Sequence, residues 1–317
     1  MKRNNWILIV VLAAAVLLFC CCAIMFALWV PRRAGGPATG FSFGGGNTVA
    51  IVPVEGAILY GGANIPGQTT AAYSDRIVED LRRAEADPSV AAIVLDVNSP
   101  GGSVVASADI HRALLETSKP VVTSMGETAA SGGYYIACAT ERIVARPATM
   151  TGSIGVLFQL VNVEDLLDTL GIEFFSITSG PMKDAGSAFD EFTAEEHAMY
   201  AGLVRESYDE FVNVVAEGRG LPEERVRELA DGRVYSGEQA LDLDLIDTLG
   251  TLDDAVTIAA ELAGISGEPR ILRYERPPTL MQTLLGRAQA PTEGERLIEA
   301  LLAPDTKAQL LYLYDAP

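Results

Sequence analysis

The hydrophobic pattern of the chain falls into three regimes. Residues 7 to 28, "ILIVVLAAAVLLFCCCAIMFAL", carry no charge and are bracketed by Trp6 and Trp29. As a helix rising about 1.5 Å per residue, this run matches the roughly 30 Å hydrocarbon core of a bilayer, with an indole ring near each interface. It is longer than the apolar part of a cleaved signal peptide, typically about 7 to 15 residues, and no small-x-small cleavage site follows it. The pattern therefore predicts an uncleaved transmembrane anchor over 6–30 behind a short cytoplasmic N-terminus at 1–5. The next stretch, "PRRAGGPATGFSFGGGNT", is rich in Gly and Pro and reads as a flexible tether over 31–47.

From residue 48 the pattern becomes that of alternating strands and helices. "TVAIVPVEGAI" and the continuous apolar run "VAAIVLDV" (90 to 97) predict strands, the second buried on both faces. Between them Ile77, Val78 and Leu81 mark an amphipathic helix with Ser74 as its expected cap. The beat continues with a helix over 103–117, strand "PVVTSM", a helix from Ser131, strand "ERIVAR", helix "VEDLLDTL" and strand "IEFFSIT". Such alternation predicts an α/β fold with a largely parallel sheet. From Thr193 the chain turns helical: Thr193 and Glu196 of "TAEE" form a capping box, "EGRG" supplies a glycine stop, and further helices fall at 222–230, 236–241 and 251–264. The folded domain is thus assigned to 48–265. Residues 266–317, with a strand-like "RILRYE" and a Pro-Pro break, form a C-terminal appendage whose candidate dock is a partner subunit.

Charge and cysteine content narrow the field. Beyond Arg33, 19 basic residues face 42 acidic ones, which excludes nucleic acid as a partner and would repel anionic lipid headgroups. Lys2 and Arg3 before the anchor balance Arg32 and Arg33 after it. The terminal amine tips the positive-inside count toward a single-pass inner-membrane protein, N-terminus in and folded domain outside the cytoplasm. Cys20 follows bulky Phe19 inside the apolar run, unlike a lipoprotein cysteine, and Cys138 is the only cysteine of the folded part, so no intrachain disulfide staples it.

The candidate chemistry is equally restricted. A Ser-His-Asp triad needs an imidazole in reach of the serine, and the two histidines, His111 and His197, read as packing or surface residues. They form no zinc set with one cysteine, and there is no phosphate-binding loop, so neither a metal nor a cofactor is expected. Only 4 of the 23 basic residues are lysines: Lys2, Lys119, Lys183 and Lys307. Arginine stays charged, whereas a desolvated lysine can lose its proton and serve as a base. Lys183 of "TSGPMKDAGSAF" is either such a base or a loop charge in an arginine-biased chain, and composition leaves both open.

Two glycine-bearing turns remain. "DVNSPGGS" (96 to 103) follows a buried strand, at the sheet edge where α/β proteins place their sites, and its glycines let backbone N–H groups approach a carbonyl closely. In "GETAASGGYYIACA" (126 to 139), Ser131 stands at a predicted helix start, as cap or as nucleophile, with the Gly132 N–H beside it as a free donor.

"LDVNSPGGS", "ETAASGGYYIA", "TGSIGV", "KDAG" and "DGRVYSGEQALDLDLIDTLG", in this order between Val49 and Gly264, resemble the signal peptide peptidase A family of membrane-anchored serine proteases in its short, single-repeat form. The resemblance implies a ClpP/crotonase-like repeated β-α-β core with additional C-terminal helices, preceded by one transmembrane helix. It implies a Ser-Lys dyad, with Ser131 as nucleophile, Lys183 as general base, Ser153 orienting the lysine, and Gly102 and Gly132 as oxyanion amides. It further implies a homo-oligomeric ring in which adjacent subunits supply the serine and the lysine of one site. The implied substrates are cleaved signal peptides and other exported or misfolded proteins, and the implied lipid contact is through the anchor. Asp244 stands where such sequences usually carry glycine. Three other readings remain: a silent membrane scaffold of the same fold, which would have lost the serine or the lysine; a crotonase-like acyl-CoA enzyme, which would need neither; and a Ser-Lys protease dedicated to a membrane partner.

Overall fold

The structure, a computed structural model, describes residues 46–61 and 71–274 and the backbone of 311–313. The anchor and all but the last two residues of the tether lie outside these residues, and among the described residues no helix is long and apolar enough to cross a membrane. Strand β1 (Thr48–Glu55) breaks at Gly56, whose φ of 79° turns the chain into β2 (Ala57–Leu59). β3 (Ala71–Tyr73) leads into α1 (Ser74–Ala86). The cap is Tyr73, and Ser74, expected to cap the helix, is its first buried residue. There follow β4 (Val90–Ser99), β5 (Gly101–Ser103), α2 (Val104–Leu115), β6 (Val121–Ala130), α3 (Gly132–Ala137), β7 (Arg142–Ala145) and β8 (Met150–Gly152). After an excursion holding α4 (Glu164–Leu170) come α5 (Ala194–Arg219), α6 (Glu223–Leu229), β9 (Val234–Ser236), α7 (Gly237–Asp242), β10 (Thr248–Leu249), α8 (Leu252–Leu262), β11 (Arg270–Arg273) and β12 (Leu311–Leu313).

Among the described residues the main sheet has eight strands in the order β10-β7-β6-β4-β1-β11, with β8 joined to β6 and β9 to β8. Only the β8–β9 pair is antiparallel, so the expected α/β fold with a largely parallel sheet and C-terminal helices is what forms. The continuous apolar run of β4 is explained by burial on both faces. Ile93 and Leu95 enter the core shared with α1, α2 and α3, while Ala92 and Val94 face Ala255 and Ala259 of α8. The larger of these side chains, Ile93, Leu95 and Val94, each contribute about 1.5–3 kcal/mol when fully buried, which makes β4 the spine of the sheet.

The C-terminal helices are fastened to this sheet by backbone contact and by one shielded ion pair. Gly218 of α5 sits so close to α3 that a Cβ on it would lie 2.1 Å from the Cys138 carbonyl oxygen. Next to it the Arg219 guanidinium meets Asp247 at 2.9 Å and donates to the Asp244 carbonyl at 3.0 Å, while Asp247 also accepts from the Ile143 N–H at 2.7 Å. Asp244 adopts φ 60°, the left-handed region that favours glycine, which accounts for the glycine its relatives were expected to carry there.

The later chain departs from one expectation and follows another. No strand forms over "IEFFSIT": among the described residues no strand pairs with it, and Ile177 is 102% exposed. "RILRYE" does form a strand, β11, which extends the main sheet alongside β1 (Ile271 opposite Val49). The tail returns as β12, antiparallel to β5 of this same chain with Tyr312 opposite Gly102 in a second, four-stranded sheet ordered β12-β5-β2-β3. Gly218→Ala, which pushes a methyl into the Cys138 carbonyl, should lower unfolding stability by about 1–3 kcal/mol, read as a lower urea midpoint at unchanged slope.

Candidate active site

β6 delivers Ser131 and α3 leaves from it. The turn is sharp: Ser131 has φ 52° and ψ −116°, a backbone state costing about 1–2 kcal/mol for a residue with a side chain. Neighbouring strands hold it there. β8 runs parallel to β6 with Ala130 opposite Gly152, so the Ser131 N–H reaches the Gly152 carbonyl at 2.7 Å, and the Ser131 carbonyl accepts from the Tyr135 N–H at 2.8 Å. The side chain makes no cap hydrogen bond, so of the two roles open to this serine the helix does not use the hydroxyl. Its Oγ is buried and has no hydrogen-bond partner, in a residue only 1% exposed. A strand-to-helix turn of this kind is how α/β hydrolases present a nucleophilic serine.

Ser153 leaves β8 one step after Gly152, just as Ser131 leaves β6 one step after Ala130. It too has positive φ, 49°, and its N–H donates to the Arg233 carbonyl at 2.9 Å. The two serines therefore stand side by side at the carboxyl ends of adjacent parallel strands.

The "NSPGGS" turn closes over them. Its polar residues shape the backbone: Asn98 Oδ1 accepts from the Thr128 N–H at 3.1 Å and Ser99 Oγ from the Gly101 N–H at 3.1 Å. Gly102, with φ 158°, lies against β2 so closely that a Cβ would fall 2.0 Å from the Ile58 carbonyl oxygen. A Cβ on Gly132 would lie 3.2 Å from the Gly102 nitrogen and 2.6 Å from Ser107 Oγ. The two proposed oxyanion amides thus belong to touching segments, and no side chain fits between them. Ser107, on the inner face of α2, was not singled out from the sequence; its hydroxyl is buried without a hydrogen-bond partner. The one signal for it is a small polar residue on a helix face otherwise lined by Ala106 and Ile110.

Ser131, Ser153, Gly102 and Gly132 converge; Lys183 does not join them. It is an exposed residue of a partly buried turn over 181–186, and among the described residues Ser131 Oγ has no hydrogen-bond partner, lysine included. The other nucleophile and base candidates are disposed of by burial. Burial pushes the Cys138 thiol up to about 12, and it holds the His111 imidazole, packed 5.0 Å from the Tyr135 ring, down to about 4. His197 is exposed beside Phe192, the surface role foreseen for it.

Comparison with known proteins gives the class. Residues 113–266 match the profile of peptidase family S49, and residues 49–166 match that of the NfeD1b N-terminal domain. A Synechocystis sp. protein, slr0021, provisionally named a protease, is 38% identical over 260 residues, covering 79% of this chain and 94% of that one. Protease 4 of Salmonella typhi is 38% identical over 270 residues, 81% of this chain but 42% of that longer one. An Enterococcus faecium protein provisionally named signal peptide peptidase SppA is 41% identical over 179 residues, 56% of this chain and 52% of that one. The chain belongs to peptidase family S49 and is a serine-type peptidase.

Two outcomes follow from the packing. If the Gly102 and Gly132 N–H groups serve as the expected oxyanion donors, Gly132→Ala should lower kcat in a peptide-hydrolysis assay by about 10²-fold, and adding Ser107→Ala, which removes the hydroxyl its methyl strikes, should recover part of that loss. For His111 the folded value lies below the ordinary 6.5, so the stability it contributes is complete above pH 6.5 and is lost as pH falls toward 4. A His111→Phe variant should show a shallower decline of Tm over that window.

Proposed function

We propose that this peptidase cleaves apolar peptides, cleaved signal peptides foremost, with a Ser131–Lys183 dyad completed between subunits of a membrane-tethered assembly. The observation that carries the reading is the strained, buried Ser131 with an uncommitted hydroxyl, set beside Ser153 and the touching Gly102 and Gly132 segments. Ser131 Oγ attacks the scissile carbonyl carbon while its proton passes to the neutral Lys183 amine. The carbonyl oxygen, now an oxyanion, takes hydrogen bonds from the Gly102 and Gly132 N–H groups. Collapse breaks the C–N bond, the lysine ammonium returns the proton to the leaving amine, and water repeats the sequence on the acyl-enzyme with Lys183 again as base. Ser153, at the neighbouring strand end, orients the lysine.

Assembly in trans is supported by what the single chain leaves open. Lys183 is solvent-facing, and the segment that carries it exposes Leu170, Ile172, Phe175 and Ile177, an apolar surface of the kind that packs against another molecule. A ring of copies, as in the ClpP/crotonase-like architecture expected from the sequence motifs, would cover it. The substrate class is supported by the name of the Enterococcus relative and by the apolar run over residues 7 to 28, which would hold the domain outside the cytoplasm at the membrane where spent signal peptides accumulate.

Ser131→Ala and Lys183→Ala should each lower kcat on an apolar fluorogenic peptide by about 10³-fold or more. Full activity in either variant sinks the dyad. Co-expression of the two inactive variants should restore activity, because mixed assemblies contain sites with both groups intact; a dyad within one chain predicts no recovery.

A further inference from the structure

The turn that carries Lys183 rests on the start of the helix behind it. Tyr200, in the second turn of α5, donates its hydroxyl hydrogen to the Ala185 carbonyl at 2.8 Å. The following residue, Gly186, has φ 80°, and a Cβ on it would stand 2.7 Å from the Tyr200 hydroxyl and 3.2 Å from Leu160. The turn therefore rests directly on the phenol. The ring itself is fixed, stacked on Phe158 at 4.4 Å with a 22° tilt and flanked by Phe192 at 6.2 Å. Phe158 lies five residues beyond Ser153, so one ring ties together the segment leaving the serines, the returning lysine turn and α5.

The anchor behind the ring is rigid. α5 is 26 residues long and starts with a complete capping box, Thr193 with Glu196, one turn before Tyr200. The Thr193 backbone and hydroxyl contacts, and after them the Gly186 N–H, hold the Glu196 carboxylate below the usual carboxylate range, so the helix start faces the same turn. The turn's internal bonds are few: the Lys183 N–H reaches the Gly180 carbonyl at 3.1 Å and the Ser187 N–H the Asp184 carbonyl at 3.0 Å. These bonds lie within the turn; its place relative to the domain is set by the start of α5, through the Glu196 carboxylate at the Gly186 N–H and the Tyr200 hydroxyl at the Ala185 carbonyl.

We infer that Tyr200 is a positioning residue for the peptidase reaction: its hydroxyl, bonded to the Ala185 carbonyl, sets the place from which Lys183 is presented to the serine. The inference rests on the reading of Lys183 as the general base. A base displaced by about 1 Å loses much of its effectiveness while substrate binding, which it does not touch, is unaffected.

The test uses the full chain in detergent. Tyr200→Phe keeps the stacked ring and removes only the hydroxyl. Its kcat on the peptide substrate should fall about ten-fold with KM within about two-fold and Tm nearly unchanged. Gly186→Ala, which pushes on the same contact from the turn, should lower kcat in the same way. In a Lys183→Ala background, Tyr200→Phe should leave the residual hydrolysis of an activated ester unchanged, since the group it places is gone. Wild-type kcat in Tyr200→Phe, or an equal loss with and without Lys183, overturns the positioning role. Full activity in Lys183→Ala alone overturns the base assignment first, which separates the two failures.

Discussion

The site depends on a parallel register. β6 and β8 end together, Ala130 opposite Gly152, and the Ser131 N–H bonded to the Gly152 carbonyl at 2.7 Å converts that alignment into a turn. Both chains then leave their strands through a serine with positive φ, each a conformation that the residue would not adopt alone. What holds them is the surrounding ladder: β4, buried on both faces, paired beside β6, and β9 pairing with β8 so that the Ser153 N–H finds the Arg233 carbonyl. Strain at the serines is affordable only because the sheet over-determines their positions.

The second constraint is space. α2, α3 and β5 meet at Gly102 and Gly132 with separations that leave no room for a Cβ, and this closeness brings together two segments distant in sequence. The polar residues around it divide their labour. Asn98 and Ser99 use their side chains on the backbone of the turns, whereas Ser131 and Ser107 are buried with hydroxyls that bond nothing among the described residues. A buried hydroxyl without a partner carries a cost of about 1–3 kcal/mol, and two of them beside the same glycine mark a place organised for something other than stability.

The excursion between β8 and α5 follows a different logic. Its helix α4 buries no residue, and its aromatic side chains pack in small local groups, Phe174 with Phe189 and Phe158 and Phe192 with Tyr200. Local clamps shape the segment, while the sheet that shapes Ser131 does not reach it. That difference separates a serine whose position is built by the whole domain from a lysine whose position is set by one helix face and, in the proposed assembly, by a neighbouring copy.

Much of this was legible in the chain itself. The apolar run of β4, the alternation of strands and helices, the Thr193–Glu196 box and the glycine stop at Gly220 are local signals, and local physics suffices to read them. Motifs likewise singled out Ser131, Ser153, Gly102, Gly132 and Lys183. What the order of residues did not contain was any consequence of contacts remote in sequence. Tyr73 in place of Ser74 as cap, the failure of "IEFFSIT" to find a partner strand, the return of residues 311–313 onto β5, and the roles of Ser107 and Tyr200 all depend on which segments become neighbours. A strand exists only beside another strand, and a hydroxyl acquires meaning only from what it touches. The sequence by itself determined the chemistry available to this peptidase, and the tertiary structure decided where that chemistry is brought together and where a single chain leaves it apart.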